Sequence, residues 1–327
     1  MKISEIAKMA GVSAATVSRY FNNGYLSEEK REAIRRVVEA TGYEPSLQAQ
    51  MLRTKVTHTL GVIVPKIDSD SIGRVVTGIS ETAEKLGYRI ILGVSQMDES
   101  REGDFLVSFN KGMVDGIIFL ATVITDDLSK KISESEAPVV ICGQYYEQGH
   151  CVYHDEYHAM YDMARHVLRC GRNKVGYIGG KIEDKAYGGD RQRGFEDAMV
   201  SAGIIPEADR MVVEQLSVEG GYAGAEMLLR AHGDTNAIVC ATDRTAVGAI
   251  KYIRNLGLRV PTDIIVTGQG DSILARNITP SITSLQYYYE ECGRESVEMM
   301  MRIINGEEAG KNVKLSYSLI ERESTRV

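Results

Sequence analysis

The sequence predicts an α/β protein with a small all-α helix-turn-helix head and a two-lobed core of doubly wound parallel sheets. Three observations lead there. The first 45 residues carry short apolar sets at helical spacing, punctuated by Gly11 and Gly42. From Thr59 onward, short apolar runs alternate with amphipathic stretches, the pattern of buried parallel strands joined by crossover helices. These units recur about eight times, more than one ordinary sheet holds, so two sheets with a cleft between them accommodate the chain.

The head is read first. Ser4 to Ala10 forms a short helix with Ile6, Met9 and Ala10 on one side, and Gly11 supplies a tight turn. Ser13 is placed to cap a second helix, Ala14-Ala15-Thr16-Val17-Ser18-Arg19-Tyr20-Phe21, whose Val17 and Phe21 lie four apart and pack inward. A third helix opens at Ser27 with Glu28 and Glu29 in its first turn, buries Ile34, Val37 and Val38, and stops at Gly42. In such a motif the second helix enters the major groove of DNA. Ala14, Ala15 and Arg19 then face base edges. Arg19 can donate a bidentate pair to guanine, whereas an alanine offers its methyl to thymine. The hydroxyls of Ser13, Thr16 and Ser18 suit phosphates. Charge agrees: residues 1–55 hold nine Lys/Arg against six Glu, while the whole chain is −7, so a cationic head precedes an anionic body that phosphates repel.

In the core, strands are expected at Leu60–Val64, Ile90–Val94, Gly116–Leu120, Val139–Cys142, Val175–Ile178, Met211–Val213, Ala237–Cys240 and Ile264–Thr267. Ligands of such folds sit beyond the carboxyl ends of strands, where a cleft can close on them. Asp68, Ser69 and Ser71 follow the first strand, Gln144 the fourth, and Thr242, Asp243, Gln269, Asp271 and Tyr287 later ones. Carboxylates, amides and an aromatic face suit a polyol.

Other chemistries find little support. His150, His154 and His158 are four apart, but Val152-Tyr153-His154 reads as a strand and Asp155 as the cap of the next helix, so the imidazoles diverge and no metal is expected. Gly176-Tyr177-Ile178-Gly179-Gly180-Lys181 lacks phosphate-loop spacing. No nucleophile and base are brought together by a local motif, so no catalytic residue and no cofactor is expected. The five cysteines are scattered, without a CxxC pair, and no apolar stretch has the roughly 18 residues of a membrane span. With no leader-like N-terminus, a cytoplasmic protein without membrane contact is expected.

The order AxxAGVSxxTVSRxxN over residues 7–22, followed by Gly42-Tyr43-Glu44-Pro45, resembles the head of the lactose-repressor/galactose-repressor (LacI/GalR) family of bacterial transcriptional regulators. The likeness continues through Arg191-Gln192-Arg193-Gly194-Phe195, Ala241-Thr242-Asp243-Arg244-Thr245-Ala246 and Thr279-Pro280-Ser281-Ile282. The resemblance implies a core like periplasmic sugar-binding proteins, with the chain crossing between lobes near residues 155, 287 and 315. It implies that Ala14, Ala15, Arg19 and Asn22 read DNA, that residues 46–54 form a hinge helix whose Ala49 and Leu52 meet the minor groove, and that Arg191 grips the effector. Organisation follows: a DNA-binding domain at 1–45, a hinge helix and linker at 46–58, and a core at 59–327. The N-lobe is about 59–155 plus 288–314, and the C-lobe about 156–287 plus 315–327. Expected partners are palindromic operator DNA, a second copy of the chain and a small-molecule effector, a sugar. Ser46 and Gln50 depart from the family's usual Asn and Arg, and Gly143 and Gly270 stand where it commonly has aspartates.

Overall fold

The computed structural model describes residues 1–21, 24–43 and 56–326, in two compact units, Met1–Thr57 and His58–Val327. In the first, helices α1 (Ile3–Met9), α2 (Ala14–Phe21) and α3 (Glu28–Thr41) enclose a core of Ile6, Ala7, Val17 and Ile34. Ser13 caps α2, its Oγ accepting from the Thr16 amide at 3.2 Å. Gly11 takes φ +66 in the turn, where a side chain would be strained. One expectation is corrected: Met9 is 57% exposed, and Ala7 is buried instead. At about 100° per residue the stripe through Ile3, Ile6, Ala7 and Ala10 is centred between Ile6 and Ala7, which turns Met9 outward.

The second unit holds two six-stranded sheets of matching design. The first contains β1 (Thr59–Val64), β2 (Arg89–Val94), β3 (Gly116–Phe119), β4 (Val139–Cys142), β5 (His150–His154) and β11 (Asn312–Leu315), in the order β11-β5-β4-β3-β1-β2. The second contains β6 (Val175–Gly179), β7 (Met211–Val213), β8 (Ala237–Cys240), β9 (Ile265–Gln269), β10 (Thr283–Tyr287) and β12 (Tyr317–Ile320), in the order β12-β10-β9-β8-β6-β7. Neighbouring strands run parallel, with registers such as Leu60↔Ile90 and Val175↔Ala237. The exception is β12, antiparallel to β10 with Leu285 opposite Leu319. The buried strands are continuous apolar runs because helices cover both faces.

Helices α4 (Asp70–Lys85), α5 (Glu99–Phe109) and α6 (Asp126–Ser133) follow β1, β2 and β3; α7 (Glu156–Arg169) follows β5. Next come α8 (Arg191–Ser201), α9 (Val218–Ala231), α10 (Asp243–Asn255), α11 (Ile273–Asn277) and α12 (Tyr289–Ile304). The chain passes between sheets after β5, after β10 and between β11 and β12. Beside β5, which was read only from Val152-Tyr153-His154 and not in the expected series, three strands, β10 to β12, were absent from it. Thr283-Ser284-Leu285-Gln286-Tyr287 has no apolar run, and its Thr283 and Ser284 are nonetheless fully buried. The two others are sheet edges, half in solvent.

One buried carboxyl in this frame makes a pH prediction. Glu102, in the first turn of α5, is fully buried, with Ser95 Oγ donating to its Oε1 at 3.3 Å. Burial pushes its pKa up to about 7 despite that bond, and Glu99 and Asp98 reinforce the rise. A carboxyl whose folded pKa is raised contributes stability that is complete below its unfolded pKa and is lost as pH rises through 7. Glu102→Gln should therefore gain on the wild type between pH 5 and 8 by about 2 kcal/mol in urea unfolding; a difference that does not change with pH would show that Glu102 is solvated.

Candidate functional site

Two sets of residues are candidates for binding partners. On α2, Ser13, Ala14, Ala15 and Arg19 are exposed on a surface of the head, Thr16 and Ser18 are half-buried, and Val17 turns inward. The Ser13 and Thr16 hydroxyls lie 2.8 Å apart and share a hydrogen bond, so capping already engages them. Tyr25, in the turn before α3, is 95% exposed; the sequence reading passed over it because turn aromatics have no spacing rule. Asn22, Ala49 and Leu52, with the hinge segment 46–54, lie outside the described residues.

The second set converges between the two sheets around Arg191. This residue opens α8, directly after a π-helical turn at Lys185–Asp190, and its side chain is 1% exposed. Its Nε donates to Glu156 Oε2 at 2.9 Å and its Nη1 to the Ala241 carbonyl. Nη2 has no partner, and neither has Glu156 Oε1, although both atoms are buried. Tyrosines cover the guanidinium: its Cζ lies 4.4 Å from the Tyr187 ring centre and 5.5 Å from that of Tyr287. Burial opposes the charge, yet Glu156 and the tyrosines outweigh it and hold the guanidinium pKa well above its ordinary value. Glu156 reaches this position because Asp155 caps α7, accepting from the His158 amide.

His154 ends β5 beside them, its ring edge-on to Tyr287 and Tyr289 at 5.1 and 5.4 Å. Its Nε2 is also buried without a partner, and burial lowers its pKa, so it is neutral at pH 7. Asp184, half-buried nearby, is pushed by burial to about 6. Glu156, His154, Asp184, Tyr187 and Tyr289 were missed by sequence reasoning. A carboxylate directly after a helix cap was the one available signal for Glu156.

The other sequence candidates divide. Tyr287 and Gln269 are here, joined by a 3.1 Å hydrogen bond from the phenol to Gln269 Oε1. Gln144 is buried in the first lobe, its amide donating to the Ala121 carbonyl at 2.7 Å. Asp243 and Asp271 are differently employed than expected. The Asp243 carboxylate accepts from Ser272 N at 2.7 Å and Ser284 Oγ at 2.6 Å, and burial raises its pKa. Asp271 is buried too, but bonds from Arg276 at 2.6 Å and from Arg322 outweigh that burial and lower its pKa. Both acids thus brace the loop after β9. Thr242 caps α10, accepting from Thr245 N at 3.2 Å.

Asp68, Ser69 and Ser71 follow β1, the two serine hydroxyls 3.0 Å apart. There the lobes touch: Arg244 donates to the Asp68 carbonyl, and Arg74 Nη1 to the Gly270 carbonyl at 3.4 Å. Gly143 and Gly270, where the resemblance expects aspartates, adopt φ +98 and +119, conformations a side-chain-bearing residue rarely takes. Both positions thus disfavour an aspartate, and the buried carboxylate beside Arg191 is that of Glu156, from another element.

His150, His154 and His158 are dispersed, His150 meeting the Gly310 carbonyl and His158 pairing with Asp155 at 2.9 Å. Glu207, Asp209 and His232 bring ligand-type atoms within 4.8 Å of one another. Of these, Glu207 pairs with Arg210 at 3.0 Å, and Asp209 Oδ2 lies 3.2 Å from His232 Nε2. Among the described residues no helix is long and apolar enough to cross a membrane.

Comparison with known proteins gives this geometry a setting. Residues 2–46 match the model of bacterial regulatory proteins, lacI family, and residues 164–325 that of the periplasmic binding protein-like domain. The chain is 30% identical to the HTH-type transcriptional regulator RegA of Clostridium saccharobutylicum, over 99% of this chain and 98% of the relative. It is also 30% identical to the sucrose operon repressor of Staphylococcus xylosus, over 92% and 93%. The lac repressor dimer bound to operator and an anti-inducer superposes with a TM-score of 0.88 over 100% of this chain and 99% of that one, at 21% identity, a likeness of fold. With a relative this similar along nearly its whole length, the protein belongs to the lacI family of bacterial regulatory proteins and is a helix-turn-helix transcription regulator, not an enzyme.

Proposed function

We propose that the protein is a cytoplasmic repressor that binds a palindromic operator as a homodimer and responds to a sugar held between the lobes of its core. The observation that carries the effector site is the set of buried, unpartnered polar atoms on Arg191, Glu156 and His154. Buried polar groups are almost always hydrogen-bonded, so unpartnered atoms on three neighbouring residues packed against tyrosine rings are the groups a ligand would satisfy. Thr242, Gln269 and Tyr287 border that space; Asp68, Ser69 and Ser71 are the candidates at its mouth. Gln144, Asp243 and Asp271 contribute by holding the strand ends.

On DNA, Ala14, Ala15 and Arg19 read bases and Ser13, Thr16, Ser18 and Asn22 hold phosphates, with Ala49 and Leu52 of a hinge helix entering the minor groove. A homodimer is supported by symmetry, since one head reads one half-site, and by the apolar Ile91 and Leu92 exposed on edge strand β2. The effector then acts by preferring one lobe arrangement, which sets the spacing of the two heads.

The test is selection of bound sequences from random duplexes, followed by titration of the recovered site. A palindrome whose binding falls steeply with salt is the expected result; recovery of no preferred sequence would refute the reading. On the recovered site Leu52→Ala should weaken binding about tenfold or more, because the wedge that kinks the duplex is gone, with core unfolding unchanged. Equal affinity would remove the hinge from the proposal.

A further inference from the structure

From the pairing of Arg191 with Glu156 we infer that the effector is an uncharged polyol, and that phosphorylated or carboxylated sugars are rejected. This inference rests on the effector-site reading above and gives that site its charge preference.

An arginine that recognises phosphate or carboxylate offers its fork free of a competing anion. Here the fork is already occupied. Glu156 Oε2 takes Nε at 2.9 Å and the Ala241 carbonyl takes Nη1, so a bidentate grip on an incoming anion would require the buried pair to come apart. The atoms left over are one donor, Arg191 Nη2, and one acceptor, Glu156 Oε1. A hydroxyl both accepts and donates, so neighbouring hydroxyls of a neutral sugar satisfy the two together. A phosphate or carboxylate accepts only. It would satisfy Nη2 and set its own negative charge against Glu156, in a space where few waters screen the repulsion.

The surroundings reinforce this. His154 is buried and neutral, so it brings no second positive charge. Asp184, whose charge is felt by both Arg191 and Glu156, ionises around pH 6 and adds a negative one at neutral pH. The remaining walls are the rings of Tyr187, Tyr287 and Tyr289, suited to the CH face of a pyranose or furanose. A second cation, Arg74, lies 5.3 Å from the Tyr289 ring centre but is engaged by Glu290 at 3.4 Å, so the site sums to neutral or slightly negative around two cations that already have counter-ions.

The experiment is thermal unfolding of the full chain with paired probes: ribose and ribose 5-phosphate, glucose and glucose 6-phosphate, glucose and glucuronate, sucrose and sucrose 6-phosphate, and cellobiose. A neutral sugar should raise the midpoint, and its charged counterpart should need at least about 100 times the concentration for the same shift. Glu156→Gln should narrow that gap tenfold or more by removing the repelling charge; if this variant does not fold, the wild-type pairs decide alone. A phosphate or uronate that stabilises better than its neutral parent overturns the charge preference and leaves the effector site standing. No shift with any probe overturns both.

Discussion

Arg191→Ala should lower the stability of the core by about 3–5 kcal/mol, because it leaves the Glu156 carboxylate buried without its counter-ion. Urea unfolding followed by tyrosine fluorescence reads this directly, since the chain has 17 tyrosines and no tryptophan. The loss distinguishes two roles. A surface arginine that only touched a ligand would cost stability little on removal. The double variant Arg191→Met with Glu156→Gln removes both charges and should recover most of the loss, while the ligand response stays absent. If Arg191→Ala unfolds like the wild type, the pair is solvated and the site has been drawn too closed.

Arg19→Ala should weaken binding to the selected operator by about 1–3 kcal/mol, roughly ten- to a hundredfold, and relax preference at one base pair in each half-site. The side chain is exposed on α2 and has no task in the head core, which is built from Ile6, Ala7, Val17 and Ile34. Folding of the head should therefore be unaffected, as circular dichroism would show. A uniform loss over all sequences, with a shallower salt dependence, would reassign Arg19 to a phosphate.

The sequence was most legible where one physical rule governs several residues at once. Apolar runs revealed β1, β3, β4, β6, β8 and β9 because those strands are buried on both faces, and revealed β2 and β7 although these are sheet edges partly in solvent. Turn and cap chemistry revealed the head, with Ser13 and Asp155 both capping as expected. Strands β10 to β12 were hidden because buried Thr283 and Ser284 are satisfied by Ser324, Thr325 and Asp243, partners up to 42 residues away. The site shows the same division. Arg191 was a candidate through resemblance and Tyr287 through its place at a strand end, and the two lie together, the Arg191 Cζ 5.5 Å from the Tyr287 ring centre. Glu156, by contrast, depends on two helices, one before and one after β6 in sequence, packing against each other, which no local pattern encodes. Strand ends also collect structural carboxylates, and Asp243 and Asp271 show that position alone does not separate those from ligand contacts.

The order in which the strands enter the two sheets sets a timetable for synthesis. The first sheet lacks its edge until 312–315 arrives, and the second lacks β10 and β12 until 283–287 and 317–320 arrive. The closing contacts are later still: Ser324 Oγ accepts from the Thr283 amide at 2.9 Å, and Thr325 Oγ1 meets Thr283 Oγ1 at 2.7 Å. On the ribosome, the head can therefore fold while the core is still being made, but both lobes wait for strands encoded after residue 311. A chain released early would carry a competent DNA-reading head on an unfinished sensor, and the cell would meet it as a substrate for chaperones and proteases rather than as a repressor deaf to its signal.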